Sequence, residues 1–156
     1  MRIRLLAVGE RMPAWVETGF AEYRKRMPRD MALELEEVPV ARRARNASPE
    51  KLCAEEGQRL LARLKPSDYV IALDVRGKSH STETLSRWMA DWRMQGRDVA
   101  LLVGGPDGLS PEVLGRADAR WSLSELTLPH PLVRVVLAEQ LYRAWTLMSG
   151  HPYHRG

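Results

Sequence analysis

Short apolar runs rich in β-branched residues alternate along this chain with longer segments whose apolar positions recur every three or four residues. The alternation predicts α/β architecture: strand then helix, five times over, giving a mainly parallel sheet flanked by helices. Strands are expected near residues 3–8, 33–38, 69–73, 99–103 and 120–123. The third and fourth are continuously apolar, as strands covered on both faces should be. In the second, Glu34 and Glu36 alternate with Leu33 and Leu35, the pattern of a half-exposed edge. The centre of the sheet is therefore expected to come late in the chain.

Helix boundaries are marked by their own chemistry. Ser48 before Pro49 and Ser110 before Pro111 each place a capping hydroxyl ahead of a first-turn proline, and Gly96 stops the helix that carries Leu85, Trp88, Met89 and Trp92. Trp88 and Trp92 lie one helical turn apart and read as core anchors in preference to a base-stacking platform. Between residues 132 and 137 only Arg134 is charged, so the last helix is expected to be buried on most sides, with Glu139 and Arg143 paired at i, i+4. Its packing could include a second subunit.

With 156 residues, 44% of them hydrophobic, the chain has the length and apolar content of one domain. Arg2 and Arg4 interrupt the first apolar stretch, and residues 5–8 are too few for a signal-peptide core or a membrane span, so a cytoplasmic protein is expected, with no membrane partner. Cys53, the one cysteine, can form no internal disulfide and has no second thiol for a metal site. The formal charge is +4 and the pI about 9.6, a modest bias towards polyanions. Two clusters carry it. Arg24, Lys25, Arg26 and Arg29 close the first helical segment, while Arg42, Arg43 and Arg45 fill a loop that meets no acid until Glu50. By charge alone these are either an RNA-binding surface or a solvated basic face.

Open parallel sheets bind ligands beyond the carboxyl ends of their strands, which directs the search to the turns after strands three, four and five. Gly104-Gly105-Pro106-Asp107-Gly108 lets backbone amides approach a ligand closely, though a plain tight turn has the same composition; it is neither a Walker loop nor a dinucleotide fingerprint. Leu123-Ser124-Glu125-Leu126-Thr127-Leu128-Pro129-His130-Pro131 is apolar and stiffened by two prolines. It could line a pocket for a flat heterocycle, or be ordinary core. His130 could cap the final helix. The closing His151-Pro152-Tyr153-His154-Arg155 gathers two imidazoles, a phenol and a guanidinium; as a metal site it lacks a nearby carboxylate or thiol, so the alternatives are a functional tail or a solvated end.

Taken together and in order, Ala7-Val8-Gly9, Glu56-Gly57-Gln58, Gly77-Lys78, Gly104-Gly105-Pro106 with Gly108-Leu109, Leu126-Thr127-Leu128-Pro129-His130, Glu139-Gln140-Leu141-Tyr142-Arg143-Ala144 and Tyr153-His154-Arg155 resemble a known family. It is that of the RlmH-type ribosomal RNA large subunit pseudouridine N3-methyltransferases, enzymes of the SPOUT class, and the likeness runs through nearly the whole chain. The resemblance implies a single SPOUT domain over residues 1–156 with a trefoil knot, the knot and cofactor site falling in residues 70–156, although knots are rare in general. It implies S-adenosyl-L-methionine as cofactor, held by Leu73, Gly104, Gly105, Leu123, Ser124, Glu125, Leu126, Thr127 and Leu128, and no metal. It implies a homodimer in which the tail of one subunit lies near the cofactor of the other, acting on 23S rRNA within the large subunit or whole ribosome. In the tail, Arg155 would offer charge to phosphate or to a developing oxyanion, His154 would take up the N3 proton and Tyr153 would orient the base. Two rivals are a non-catalytic knotted RNA-binding or ribosome-assembly factor and a methyltransferase for a free metabolite.

Overall fold

Each expected apolar run becomes a strand in the computed structural model, which describes residues 1–155; Gly156, the last residue of the expected domain, lies outside the described residues. β1 (Arg2–Val8), β2 (Ala32–Val38), β3 (Tyr69–Ser79), β4 (Val99–Val103) and β5 (Ala119–Ser122) form one sheet in the order β2-β1-β4-β3-β5, every pairing parallel. β4 is central and buried along its whole length, and β2 is an edge with Glu34 and Glu36 half-exposed, both as the patterning predicts.

Side chains alternate across the sheet, so each strand feeds two cores. Ile3, Leu5 and Ala7 of β1 meet the layer made by α1 (Ala14–Arg24), α3 (Thr82–Gln95) and α5 (His130–Ser149), whereas Leu6 and Val8 lie in the smaller core on the side of α2 (Pro49–Leu61) and α4 (Pro111–Arg116). Full burial of one such aliphatic side chain stabilises the fold by roughly 1.5–3 kcal/mol. Trp92 is buried and Trp88 packs edge-on against Trp121 at 6.1 Å, so both tryptophans serve the core. Arg4, buried within β1, donates to Asp68 at 2.9 Å, to Glu36 at 2.7 Å and to the Arg63 carbonyl at 2.7 Å. A buried guanidinium is tolerable only because carboxylates and a carbonyl meet it.

The caps also follow the sequence. Ser48 Oγ accepts from the Lys51 amide and Ser110 Oγ from the Val113 amide, each at 3.2 Å, and Gly96 ends α3 at φ 69°. A cap of this kind contributes about 1 kcal/mol.

Two departures concern the site. β3 does not end at Leu73: Leu73 and Lys78 both pair with Trp121, so residues 74–77 leave the ladder and the strand resumes. A Cβ on Gly77 would lie 2.7 Å from the backbone of Arg120 and Trp121, so only glycine lets the excursion close so tightly on β5. Second, His130 does not cap α5. Pro129 holds that position with no side-chain hydrogen bond, and His130 is already the first helical residue. Two prolines pre-set the backbone at this helix start, leaving the imidazole available elsewhere. No helix among the described residues is long and apolar enough to cross a membrane.

Candidate functional site

The turns leaving β3, β4 and β5 converge on a cavity of about 580 Å³ at the carboxyl edge of the sheet, within the size range of small-molecule sites. One wall is Leu73 and residues 74–76 of the excursion; a second is Val103, Gly104 and residues 107–109; a third is residues 120–124 with Leu126 and Leu128. Pro111, Leu114, His130 and Val133 close the remainder. Leucine and valine side chains dominate, and Asp74, Asp107, Arg76 and Arg120 supply charge.

Local packing explains how the walls hold their shape. Residues 105–108 form a tight turn, the Gly108 amide donating to the Gly105 carbonyl at 3.0 Å with Gly108 at φ 78°. A Cβ on Gly104 would lie 2.6 Å from Gly108 C and O. α2 buttresses the turn from behind: the Cys53 thiol donates to the Gly108 carbonyl at 3.4 Å, and Glu56, 1% exposed, accepts from the Ala41 amide at 2.9 Å. Its other oxygen is buried without a partner among the described residues, 2.9 Å from where a Gly105 Cβ would be. The third wall is folded by hydroxyls: Ser122 Oγ donates to the Ser124 carbonyl at 3.0 Å, and Ser124 Oγ accepts from the Leu126 amide at 2.9 Å. His130 has its pKa lowered, chiefly by burial and then by the Arg134 charge, with Glu56 opposing, which favours a neutral imidazole.

Of the residues expected to hold a cofactor, Leu73, Gly104, Leu123, Ser124, Leu126 and Leu128 line this cavity. Gly105 faces Glu56 and Val8, while Glu125 and Thr127 are exposed and outside the lining. Sequence reasoning passed over Asp74, Arg76, Asp107 and Arg120 as cavity groups, and gave His130, within a stretch that could line a pocket, the role of a helix cap. Asp107 lies in the glycine-rich turn already singled out, so that signal was present; Arg76 and Arg120 needed the register jump in β3, which no local pattern reveals.

The tail lies elsewhere in its own chain. After Gly150 at φ 74°, the His151 amide donates to the Thr146 carbonyl at 3.0 Å and residues Pro152–Arg155 form a 3-10 turn against α5. Tyr153 donates its hydroxyl to Glu139 at 2.8 Å, and Glu139 also accepts from Arg143 and Gln140, each at 2.8 Å. The expected Glu139–Arg143 pair is thus present. Burial works to raise the Glu139 pKa, and hydrogen bonds from Arg143 and Tyr153 hold it below the ordinary value. Burial, with Tyr23 and Glu139 beside it, pushes the Tyr153 phenol well up, so it stays protonated at neutral pH. The ring packs 4.7 Å from Tyr142, with the Arg143 guanidinium 5.1 Å from its centroid. His154 Nδ1 is buried without a partner among the described residues, and Arg155 is exposed. From His130 at the cavity to Glu139 is nine residues of helix, about 14 Å, and no tail residue lines the cavity. Among the described residues no cluster of histidine, cysteine and carboxylate could hold a metal.

Comparison with known proteins gives the arrangement a context. Residues 1–154 match the family model described as a predicted SPOUT methyltransferase. A Hahella chejuensis protein named ribosomal RNA large subunit methyltransferase H is 64% identical over 155 residues, covering 99% of each chain. A protein of the same name from Pseudomonas aeruginosa is 55% identical over 99% of this chain and 100% of its own. Among solved structures, a methylase family protein from Neisseria gonorrhoeae has the same fold, with a TM-score of 0.51 and 14% identity over 90% of this chain and 81% of that one.

Proposed function

The chain belongs to the SPOUT methyltransferase family, and from that premise we propose that it methylates N3 of a pseudouridine in the 23S RNA of the large ribosomal subunit, with S-adenosylmethionine as donor. One observation carries the reading. Six of the residues expected to hold the donor, Leu73, Gly104, Leu123, Ser124, Leu126 and Leu128, line a single cavity where a parallel sheet binds its ligands. The end-to-end likeness to proteins named as ribosomal RNA methyltransferases supplies the substrate class.

The cavity suits such a donor. Apolar walls from the third turn and α4 accept a flat heterocycle, while the Asp74 and Asp107 carboxylates can face a cationic group. When bound, S-adenosylmethionine supplies a methyl group on a sulfonium, already activated for in-line displacement. What the chain must add is alignment and charge. Neutral His130 and the leucines exclude water from the cavity. In the tail, Tyr153 is tied to Glu139 and cannot act as a base, so its part is to fix the turn that presents the next two residues. The His154 imidazole takes up the N3 proton of the uracil ring, and Arg155 offers its charge to the oxyanion that this leaves.

In one chain the tail and cavity lie at different stations along α5, so we infer that each tail serves the cavity of a second copy in a homodimer. We also infer the trefoil knot, with α5 threaded through a loop formed by the preceding strands; the return of the chain after β5 to pack α5 on α1 and α3 is consistent with it.

The test is labelled methyl transfer into ribosomes lacking the modification, mapped by mass spectrometry. Methyl incorporation at N3 of one pseudouridine is the expected result. Absence of S-adenosylmethionine binding by calorimetry, or methylation of any other base, overturns the reading.

A further inference from the structure

Of the two basic clusters in the sequence, the one at the end of α1 is engaged in part by its own neighbours, although Arg29 is exposed and has no ion-pair partner among the described residues. At the end of α1, Lys25 and Arg26 share Glu22, at 2.8 and 2.5 Å, Arg26 also lies over the Tyr23 and Tyr142 rings, and Arg24 Nε donates to the Leu33 carbonyl. The other, in residues 42–46, is different. Arg42, Arg43 and Arg45 are all exposed, and among the described residues only Arg43 has an ion-pair partner. That partner is Asp107, at 2.9 Å, a wall residue of the donor cavity.

We infer that residues 42–46 are the phosphate-docking surface of this protein, seating an RNA backbone beside the mouth of the donor cavity. The inference rests on the RNA-methylating reading above. Three observations meet in it. The loop carries three guanidiniums, the side chain best suited to phosphate recognition, with two of them uncompensated. It is held to the cavity wall by Arg43 and Asp107, which fixes its distance from the reacting centre. Both its ends are secured to α2: the Ala41 amide to buried Glu56, the Pro39 carbonyl to Arg59 at 2.8 Å, and Ser48 as the helix cap. Little ordering remains to be done when RNA arrives, so the guanidiniums contribute more of their attraction to affinity. Arg76 and Arg120, exposed on the excursion and at β5, continue the positive rim along the same cavity.

The electrostatic signature is specific. Each phosphate neutralised releases counterions, so the slope of log affinity against log salt falls by about 0.7–0.9 for every contact removed. Binding of the full chain to ribosomes lacking the modification is measured between about 50 and 200 mM salt for the wild type, for Arg42→Ala with Arg45→Ala, and for Lys25→Ala with Arg29→Ala, a charge-matched control at the α1 cluster. The loop variant is expected to lose about 25- to 60-fold in affinity at 0.1 M salt and to show a slope shallower by about 1.4–1.8. The control should keep the wild-type slope. An unchanged slope in the loop variant, or an equal loss in the control, overturns the assignment. No donor or transfer step enters the measurement, so the two readings fail separately: wild-type protein that binds no ribosomes sinks the RNA-methylating reading, whereas wild-type binding with an unaltered loop variant sinks only the docking surface.

Discussion

Gly104→Ala is the smallest change that should damage the cavity. The new methyl carbon would stand 2.6 Å from both C and O of Gly108 and 3.1 Å from the Leu109 amide. These are backbone atoms of a turn closed by its own hydrogen bond and braced by Cys53, so no side chain can swing aside. The turn must open by about 0.8 Å to reach 3.4 Å, the near limit of ordinary contact. Overpacking of this kind costs about 1–3 kcal/mol, which in a domain of this size lowers Tm by roughly 3–10 °C. Gly108 and Leu109 both line the cavity, so donor affinity should fall on the order of 10-fold or more, equivalent to about 1.4 kcal/mol. Gly115→Ala is the control: it lies in α4, and a Cβ there meets nothing within 4 Å. It should leave donor affinity alone and raise stability by about 0.5–1 kcal/mol. Differential scanning calorimetry and isothermal titration with S-adenosylmethionine read both effects. A Gly104→Ala protein with wild-type Tm and donor affinity would refute the role given to this turn.

Three further outcomes follow from other contacts. Arg134→Met removes a guanidinium, 1% exposed, that donates to the Gly9 carbonyl at 2.8 Å and pairs with Glu37; urea denaturation should show a loss of about 2–4 kcal/mol, and less than 1 kcal/mol would contradict the packing described. Because His130 in the fold has a pKa below its ordinary 6.5, the unfolded chain binds the extra proton first, so stability is complete above pH 6.5 and declines as pH falls towards the folded value; His80 shifts the same way. His130→Gln should lessen the fall in stability as pH drops below 6.5, and identical profiles would rule the assignment out. Tyr153→Phe deletes the hydrogen bond to Glu139, so methyl transfer should drop at least 10-fold with donor affinity unchanged; full transfer activity would show that the bond does not position the tail.

Strand existence and burial were readable from local pattern, because a parallel strand covered on both faces has few ways to look other than apolar. The half-exposed β2 and the serine caps were equally plain, each depending on residues within four positions of one another. What escaped was non-local. Arg4 looked only like an interruption of an apolar run, yet Glu36 and Asp68 lie 32 and 64 residues away from it. The excursion at residues 74–77 is set by where β5 resumes pairing, and Gly77 gives no hint of the Arg120 and Trp121 backbone it must pass. His130 was misplaced for a related reason: proline chemistry fixes that helix start without a side-chain cap, and the imidazole turns instead to a cavity whose other walls come from three separate turns. The tail was legible as a cluster of chemistry, but its hold on Glu139 depends on the chain doubling back along α5.

Arg134 has a bearing on how the protein is made. Its guanidinium, on the last long helix, reaches Gly9 across 125 residues of sequence and Glu37 across 97. β1 and β2 emerge early from synthesis, yet the helix that covers their face and closes the cavity is produced last. A nascent chain must therefore wait with the apolar side chains of β1 uncovered, and contacts so distant in sequence form slowly once the chain is released. Ribosome-bound chains truncated before residue 130 should consequently be open to proteases and chaperones, and donor-binding competence should arrive all at once, with α5.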